Sequence, residues 1–261
     1  MSIRSAFLQS FHALPATAEQ QVFLLAVSGG VDSMVLATLF LQEGLPFEIA
    51  HCNYQLRGEA SNLDEQHVHD WAQQHAIPFH CQRFETKTLS AQLKKGTQET
   101  ARILRYDWFR SLLQTHQFKA IVTAHHANDN AETILMNLFK GTGIDGLTGM
   151  QIITNNIFRP LLSVYRDQIE AFANEHQITF RQDASNLSDD YTRNAIRLNV
   201  LPAIEKLFPA ALQGITTTMR HLNDAAIIYH DQLDLYKKKL LVKTSTEIKI
   251  PIRLLLSMPA F

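Results

Sequence analysis

Four short apolar runs, residues 22–27, 47–52, 79–83 and 120–123, recur along the first half of the chain, and helical patterns fill the intervals between them. That alternation constrains the fold more than any other feature. Strands joined in this way lie parallel, through right-handed crossovers, with helices covering the sheet. The expected class is therefore α/β, a doubly wound parallel sheet. Ligands in such folds bind beyond the carboxyl ends of the strands, so the residues that follow each run are the ones to read for chemistry.

Between the runs, Ser61 is expected to open a helix with Asp64 and Glu65 in its first turn and Leu63, Val68, Trp71 and Ala72 as its buried stripe. Thr97 opens another over "TQETARILRYDWFRSLLQ". After Ile152 the pattern changes: "NIFRPLL" is extended and ended by Pro160, Ser163 caps a helix through His176, and "DASNLSDD" is a polar loop. From about Phe208 roughly 30 residues read as helix, ending in "YKKKLL". The expected division is a sheet domain over residues 1–207 and the start of a smaller helical domain over 208–261. The last residues, "PIRLLLSMPAF", carry no polar stop, which is the pattern of a chain ending inside a domain.

Apolar residues make up 46% of the 261, enough for a substantial core, and the formal charge of -1 means that any nucleic-acid surface must be a local patch. Two cysteines, Cys52 and Cys81, have neither CxxC nor metal-ligand spacing, which speaks for a reducing cytoplasm and against a disulfide scaffold, a zinc module or an iron–sulfur centre. No apolar run approaches the ~18 residues that cross a bilayer. Polar Gln9, Ser10 and His12 make the first segment an amphipathic helix and not a signal peptide.

The turn "SGGVDS" follows the first buried run and opens a helix, so it aims backbone N–H groups and the positive end of the helix at one point. That is an anion site, and phosphate is the obvious guest. It is not a Walker A loop, which needs wider glycine spacing and a lysine where this chain has Asp32. A hydrolase nucleophile elbow would lie after several strands, not 21 residues into the chain. Two glycines among Ser28, Asp32 and Ser33 also exceed what capping a helix requires. A carboxylate beside polyphosphate is repulsive unless it faces a cation or the attacking group, so Asp32 suggests Mg²⁺ or a role away from the phosphates.

Two further stretches follow strands, and a helix between them brings an arginine near the sheet edge. "HCNYQLRGEAS" offers His51 and Arg57 for nucleotide or RNA contact. In "TAHHANDNAET", a helix starting near His125 would align His125, Asp129 and Glu132 for Mg²⁺ or a substrate amine, whereas H-E-x-x-H is absent. "ETARILRYDWFR" offers Arg102 against phosphate charge, with Ile103 and Leu104 on its buried side. Arg193, Asn194 and Arg197 in "DDYTRNAIR" have arginines four apart, a spacing suited to a phosphate backbone. "KGTGIDG" matches the glycine spacing of a dinucleotide fingerprint but follows a helix instead of a strand; NAD is rejected, and Gly141 reads as a helix cap.

"SGGVDS" resembles the signature of the PP-loop ATP pyrophosphatases. In order, "SGGVDS", "HCNYQLR", "ETARILRY", "TAHHANDNAET", "NLFKGTGIDGLTGM", "RPLL" and "DASNLSDDYTRNAIR" are similar to the tRNA(Ile)-lysidine synthetases, over residues 22–207. The resemblance implies ATP-dependent ligation of L-lysine to C2 of the wobble cytidine of a tRNA(Ile) with a CAU anticodon. It implies ATP held by Ser28, Gly29, Gly30, Asp32 and Ser33 with His51 and Arg102 at its edge. Asp129 and Glu132 would then be the acidic pair for Mg²⁺ or lysine, with His125 beside them and Asp32 an alternative base. Arg57, Arg193, Asn194 and Arg197 would face substrate or tRNA. Ala195 departs from the pattern, taking the place of a basic residue. A PP-loop tRNA thiolase and a non-catalytic ATP-binding sensor are the competing readings, and pairing with a second copy is left open.

Overall fold

The structure, a computed structural model, describes residues 2–15, 20–181, 192–243 and 247–256. The four apolar runs are strands β1 (Phe23–Ala26), β2 (Phe47–Asn53), β3 (Phe79–Arg83) and β4 (Ile121–Val122). Two more follow, β5 (Ile153–Thr154) and β6 (Ile157–Phe158), and the six form one sheet in the order β3-β2-β1-β4-β6-β5. All pairs are parallel except β5 with β6. From β1 the chain builds outward to β2 and β3, then returns to lay β4 on the other side of β1. This reversal opens a crevice beyond the ends of β1 and β4, the place where such sheets bind ligands.

The helices before β4 are α1 (Ile3–Ser10), α2 (Val31–Gln42), α3 (Glu59–Gln74), α4 (Thr86–Leu93) and α5 (Thr97–His116). After it come α6 (Ala127–Lys140), α7 (Ile144–Leu147), α8 (Arg166–Glu175), α9 (Thr192–Ala195), a π-helical turn over Ile196–Val200, α10 (Leu201–Leu207) and α11 (Ala211–Leu240). A hairpin of β7 (Val242–Lys243) and β8 (Ile248–Lys249) and the short α12 (Ile252–Leu256) complete the described chain. No described helix is long and apolar enough to cross a membrane.

Phe7, Phe11, Phe23, Phe40, Phe47 and Phe158 meet mostly edge to face under α1, with centroids such as Phe11 and Phe158 5.1 Å apart. Burying each such ring contributes roughly 1.5–3 kcal/mol, and this cluster fixes the base of β1 beneath the phosphate turn. A separate apolar cluster joins Ala131 and Leu135 of α6 to Ile196, Leu201 and Leu212, tying the last helices to the helix that carries the acidic residues.

Several boundaries differ from expectation for local reasons. Helix α3 starts at Glu59 behind Gly58, so Asp64 and Glu65 fall in its second turn; Leu63 is exposed, Val68 and Ala72 are buried and Trp71 is half-buried. Helix α8 starts behind Tyr165 and not Ser163, because the Gln168 side chain accepts the Tyr165 N–H at 3.0 Å. Ile103 and Leu104 are half-buried. Gly141 does end α6, at φ +73°. The "DASNLSDD" loop and residues 257–261 lie outside the described residues.

Candidate active site

The turn after β1 is held by two hydroxyls, Ser33 and Ser28, the second of which accepts the Gly30 N–H at 3.4 Å. Ser33 Oγ accepts the N–H groups of Ser28 and Gly29, both at 3.2 Å, and donates to the Gly30 carbonyl at 2.9 Å. Gly29 sits at φ +93°, and a Cβ there would lie 3.3 Å from Val68 Cγ2, so glycine alone suits the turn. With Ser28 and Gly29 satisfied internally, the first-turn N–H groups of Val31, Asp32 and Ser33 have no acceptor within α2 and point out from its positive end.

This turn forms one wall of a cavity of about 930 Å³. Ser28, Gly29, Gly30, Asp32 and Ser33 line it, and so do His125, Asp129, Arg57 and Arg197 from other elements. The phosphate turn and the acidic helix are thus brought to one space, as the sequence suggested. Other residues fall elsewhere. His51 is buried behind the turn, its Nδ1 donating to the Val27 carbonyl at 2.8 Å, so it braces the turn and does not line the cavity. Burial pushes its pKa down, consistent with a neutral ring. Arg102 is exposed, its guanidinium 5.0 Å from the centre of the Tyr106 ring; Arg105, at 4.9 Å from the same ring, is the arginine that reaches the cavity.

The helix expected to start near His125 begins at Ala127 with His126 as its N-cap. His125 therefore precedes the helix and is held by Thr123 Oγ1 at 2.8 Å from Nδ1; burial lowers its pKa to about 4, leaving a neutral imidazole at pH 7. Asp129 occupies the third helical position and Glu132 lies one turn on. Burial pushes Asp129 up, but His126, Arg193 and His125 together hold its pKa below the usual carboxylate range. Asp32 is raised, chiefly by burial, against the pull of His126 and Arg166.

Arg193 and Arg197 do not present their charges to solvent for an RNA backbone. Both turn inward: Arg193 Nε and Arg197 Nε reach Glu132 at 2.8 and 2.7 Å, and their Nη2 atoms reach Asp129 Oδ1 at 2.9 and 3.4 Å. The reason is Glu132, 1% exposed, whose buried carboxyl oxygens need hydrogen-bond partners in the interior. Glu132 is consequently sealed behind two guanidinium groups, and Asp129 is the member of the pair that faces the cavity. Asn194 lies between the arginines, half-buried. Arg57 is paired with Asp64 at 2.7 Å, and Arg181 holds the other Asp64 oxygen at 2.6 Å.

Arg105, Arg166, Arg181 and His126 were not singled out by sequence, and Asp64 was read only as an acid at a helix start. His126 caps α6 with Asp129 in a reciprocal box, but histidine is not a usual cap residue, so the sequence carries no clear signal for it. The others are brought in by folding, Arg166 and Arg181 from more than 130 residues beyond the turn.

A glycine-bearing turn at the switch point of a parallel sheet, with the Asp129 carboxylate opposite, is the architecture of a nucleotide-binding α/β domain, and residues 3–204 match the PP-loop domain family. The chain is 40% identical to the tRNA(Ile)-lysidine synthase of Chlorobaculum tepidum over 239 residues, 90% of this chain and 71% of that protein. It is 39% identical to the tRNA(Ile)-lysidine synthase of Bacteroides thetaiotaomicron over 86% of this chain and 53% of that one. The chain belongs to the tRNA(Ile)-lysidine synthase family within the PP-loop proteins. Among solved structures, the U34-tRNA thiolase NcsA from Methanococcus maripaludis shares the fold, with a TM-score of 0.68 at 15% identity over 85% of this chain and 80% of that one.

Proposed function

We propose that the chain carries the chemistry of an ATP-dependent ligase that joins L-lysine to C2 of the wobble cytidine of tRNA(Ile) with a CAU anticodon. The observation that carries this reading is the shared cavity, in which an anion-binding turn faces a buried, ionised Asp129. In the first step cytidine O2 attacks the α-phosphorus of ATP, a P–O bond forms and pyrophosphate leaves. In the second the lysine side-chain nitrogen bonds to C2, the C2–O bond breaks and AMP departs with that oxygen. The N–H groups of α2 and Arg105 supply the positive charge that the phosphates need.

A lysine amine of pKa ~10.4 is neutral in roughly one molecule in a few thousand at pH 7, so it arrives as a cation. Asp129, ionised and facing the cavity, pairs with that ammonium; the nitrogen gives its first proton to solvent to free its lone pair, and once it has bonded to C2 its second proton is acidic enough for the carboxylate of Asp129 to take. Glu132 backs Asp129 through the two shared arginines. Mg²⁺ suits the same cavity. Asp32 lines the cavity beside the anion-binding turn, and Mg²⁺ typically takes one or two carboxylates together with phosphate oxygens. Asp32, with Asp129 alongside, would hold it, and the ion would offset charge on the leaving pyrophosphate.

Residues 1–207 would house this chemistry, with 208–261 as a smaller helical region whose α11 packs against α6 and α7. The setting for such an enzyme is the cytoplasm. A sulfur-transferring role is disfavoured by Cys52 and Cys81, whose thiols burial drives up to about 12, far from the thiolate that sulfur chemistry uses. The test is to incubate the chain with ATP, Mg²⁺, labelled lysine and tRNA. Label is expected in RNA with a CAU-anticodon tRNA(Ile) and not with other tRNAs; sulfur incorporation, or ATP binding without any transfer, would contradict the reading.

A further inference from the structure

The chemistry above does not use His126, although its ring stands where the two halves of the site meet. The side chain is fully buried. Nδ1 accepts the Asp129 N–H at 3.4 Å while Asp129 Oδ2 accepts the His126 N–H at 3.0 Å, so ring and carboxylate cap α6 reciprocally. With Nδ1 an acceptor, Nε2 carries the hydrogen. Nε2 lies 3.4 Å from Asp129 Oδ2 and 3.7 Å from Asp32 Oδ1. Neither Nε2 nor Asp32 Oδ1 has a hydrogen-bond partner among the described residues. A buried donor and a buried carboxylate oxygen left facing each other are costly, and capping alone does not call for them: asparagine, serine or aspartate caps a helix without an imidazole.

We propose that His126 is a positioning residue whose Nε2, 3.7 Å from Asp32 and 3.4 Å from Asp129, sets the spacing of the phosphate-side and amine-side carboxylates. The role rests on the ligation reading above. The two carboxylates come from different elements, the first turns of α2 and α6, and repel one another. A polarised N–H between them attracts both, so the ring fixes the distance between the start of one helix and the start of the other. That distance decides whether polyphosphate on one wall and an amine on the other meet the same cytidine in register. A displacement there reduces turnover more than it weakens the binding of ATP, because alignment matters most at the reacting atoms.

Two variants of the full chain separate positioning from capping. In His126→Asn the short amide still caps α6 but ends short of Asp32. In His126→Gln the cap is poor, while the longer amide brings an N–H toward the place that Nε2 occupies. His126→Asn is expected to melt close to the unsubstituted protein and keep its KM for ATP, yet lose on the order of tenfold to a hundredfold in kcat for lysine-dependent AMP release. His126→Gln is expected to melt lower and recover part of that kcat, so activity and stability rank the two in opposite orders. Full kcat in His126→Asn, or kcat that follows melting temperature across both, overturns the positioning role and leaves ligation standing. An unsubstituted chain that binds ATP but never releases AMP in response to lysine and tRNA overturns the ligation reading, and the role of His126 with it.

Discussion

Asp129→Asn is expected to lower lysine-dependent AMP release by on the order of 10²- to 10⁴-fold while ATP still binds. The substitution removes little else. An asparagine oxygen at this position can still accept the His126 N–H that Asp129 Oδ2 takes at 3.0 Å, so the start of α6 keeps its cap. Arg193 and Arg197 keep Glu132 as partner, at 2.8 and 2.7 Å. What disappears is the one ionised group of the pair that faces the cavity, and an amide neither balances an ammonium nor accepts its proton. The phosphate turn is built from α2 and is untouched. Calorimetric ATP titration beside single-turnover AMP release makes the comparison, and AMP release surviving in the variant would contradict the role given to Asp129. It would favour a sensor, which has no use for an acid opposite the phosphates.

The largest effect on stability is expected at Glu132. Glu132→Ala leaves two arginines in the interior with only Asp129 to answer them. Loss of one partner from a buried ion cluster costs several kcal/mol, and the part-exposed arginines, at 38% and 22%, put this case near the lower end. A loss of about 3 kcal/mol, or roughly 6–12 °C in Tm, is expected. Glu132→Gln keeps the shape and one acceptor and should lose less. Thermal unfolding followed by circular dichroism reads both, and an alanine variant that melts within a degree or two of the parent would mean that the cluster holds nothing together.

Much of this was legible in the sequence because it is local. Strand runs of period and length suited to a buried parallel sheet gave β1 to β4, and a turn that must follow one strand and open one helix gave the phosphate site. Gly141, read as a cap, is one. The misplacements arise where tertiary partners decide. Arg102 and Arg105 flank the same tyrosine three residues apart, and nothing in their spacing says which one meets the cavity. Arginines four apart read as a surface for phosphates, yet Arg193 and Arg197 are claimed by a glutamate more than 60 residues earlier whose burial the sequence does not reveal. Likewise β5 is two residues long and exists only as an antiparallel partner for β6. The pair Asp32 and His126 is invisible in one dimension, since 94 residues separate a carboxylate and a ring that end 3.7 Å apart.

The central claim is that the amides at the head of α2 and the carboxylate of Asp129 serve one cavity, the first for a nucleotide's phosphates and the second for an amine. Its most direct test is a crystal structure of the chain with a non-hydrolysable ATP analogue and lysine. The account predicts phosphate oxygens within hydrogen-bonding distance of the N–H groups of Val31, Asp32 and Ser33, and the lysine nitrogen against Asp129. Phosphates bound away from that turn, or an amine held by other residues while Asp129 stays locked to its arginines, would contradict it.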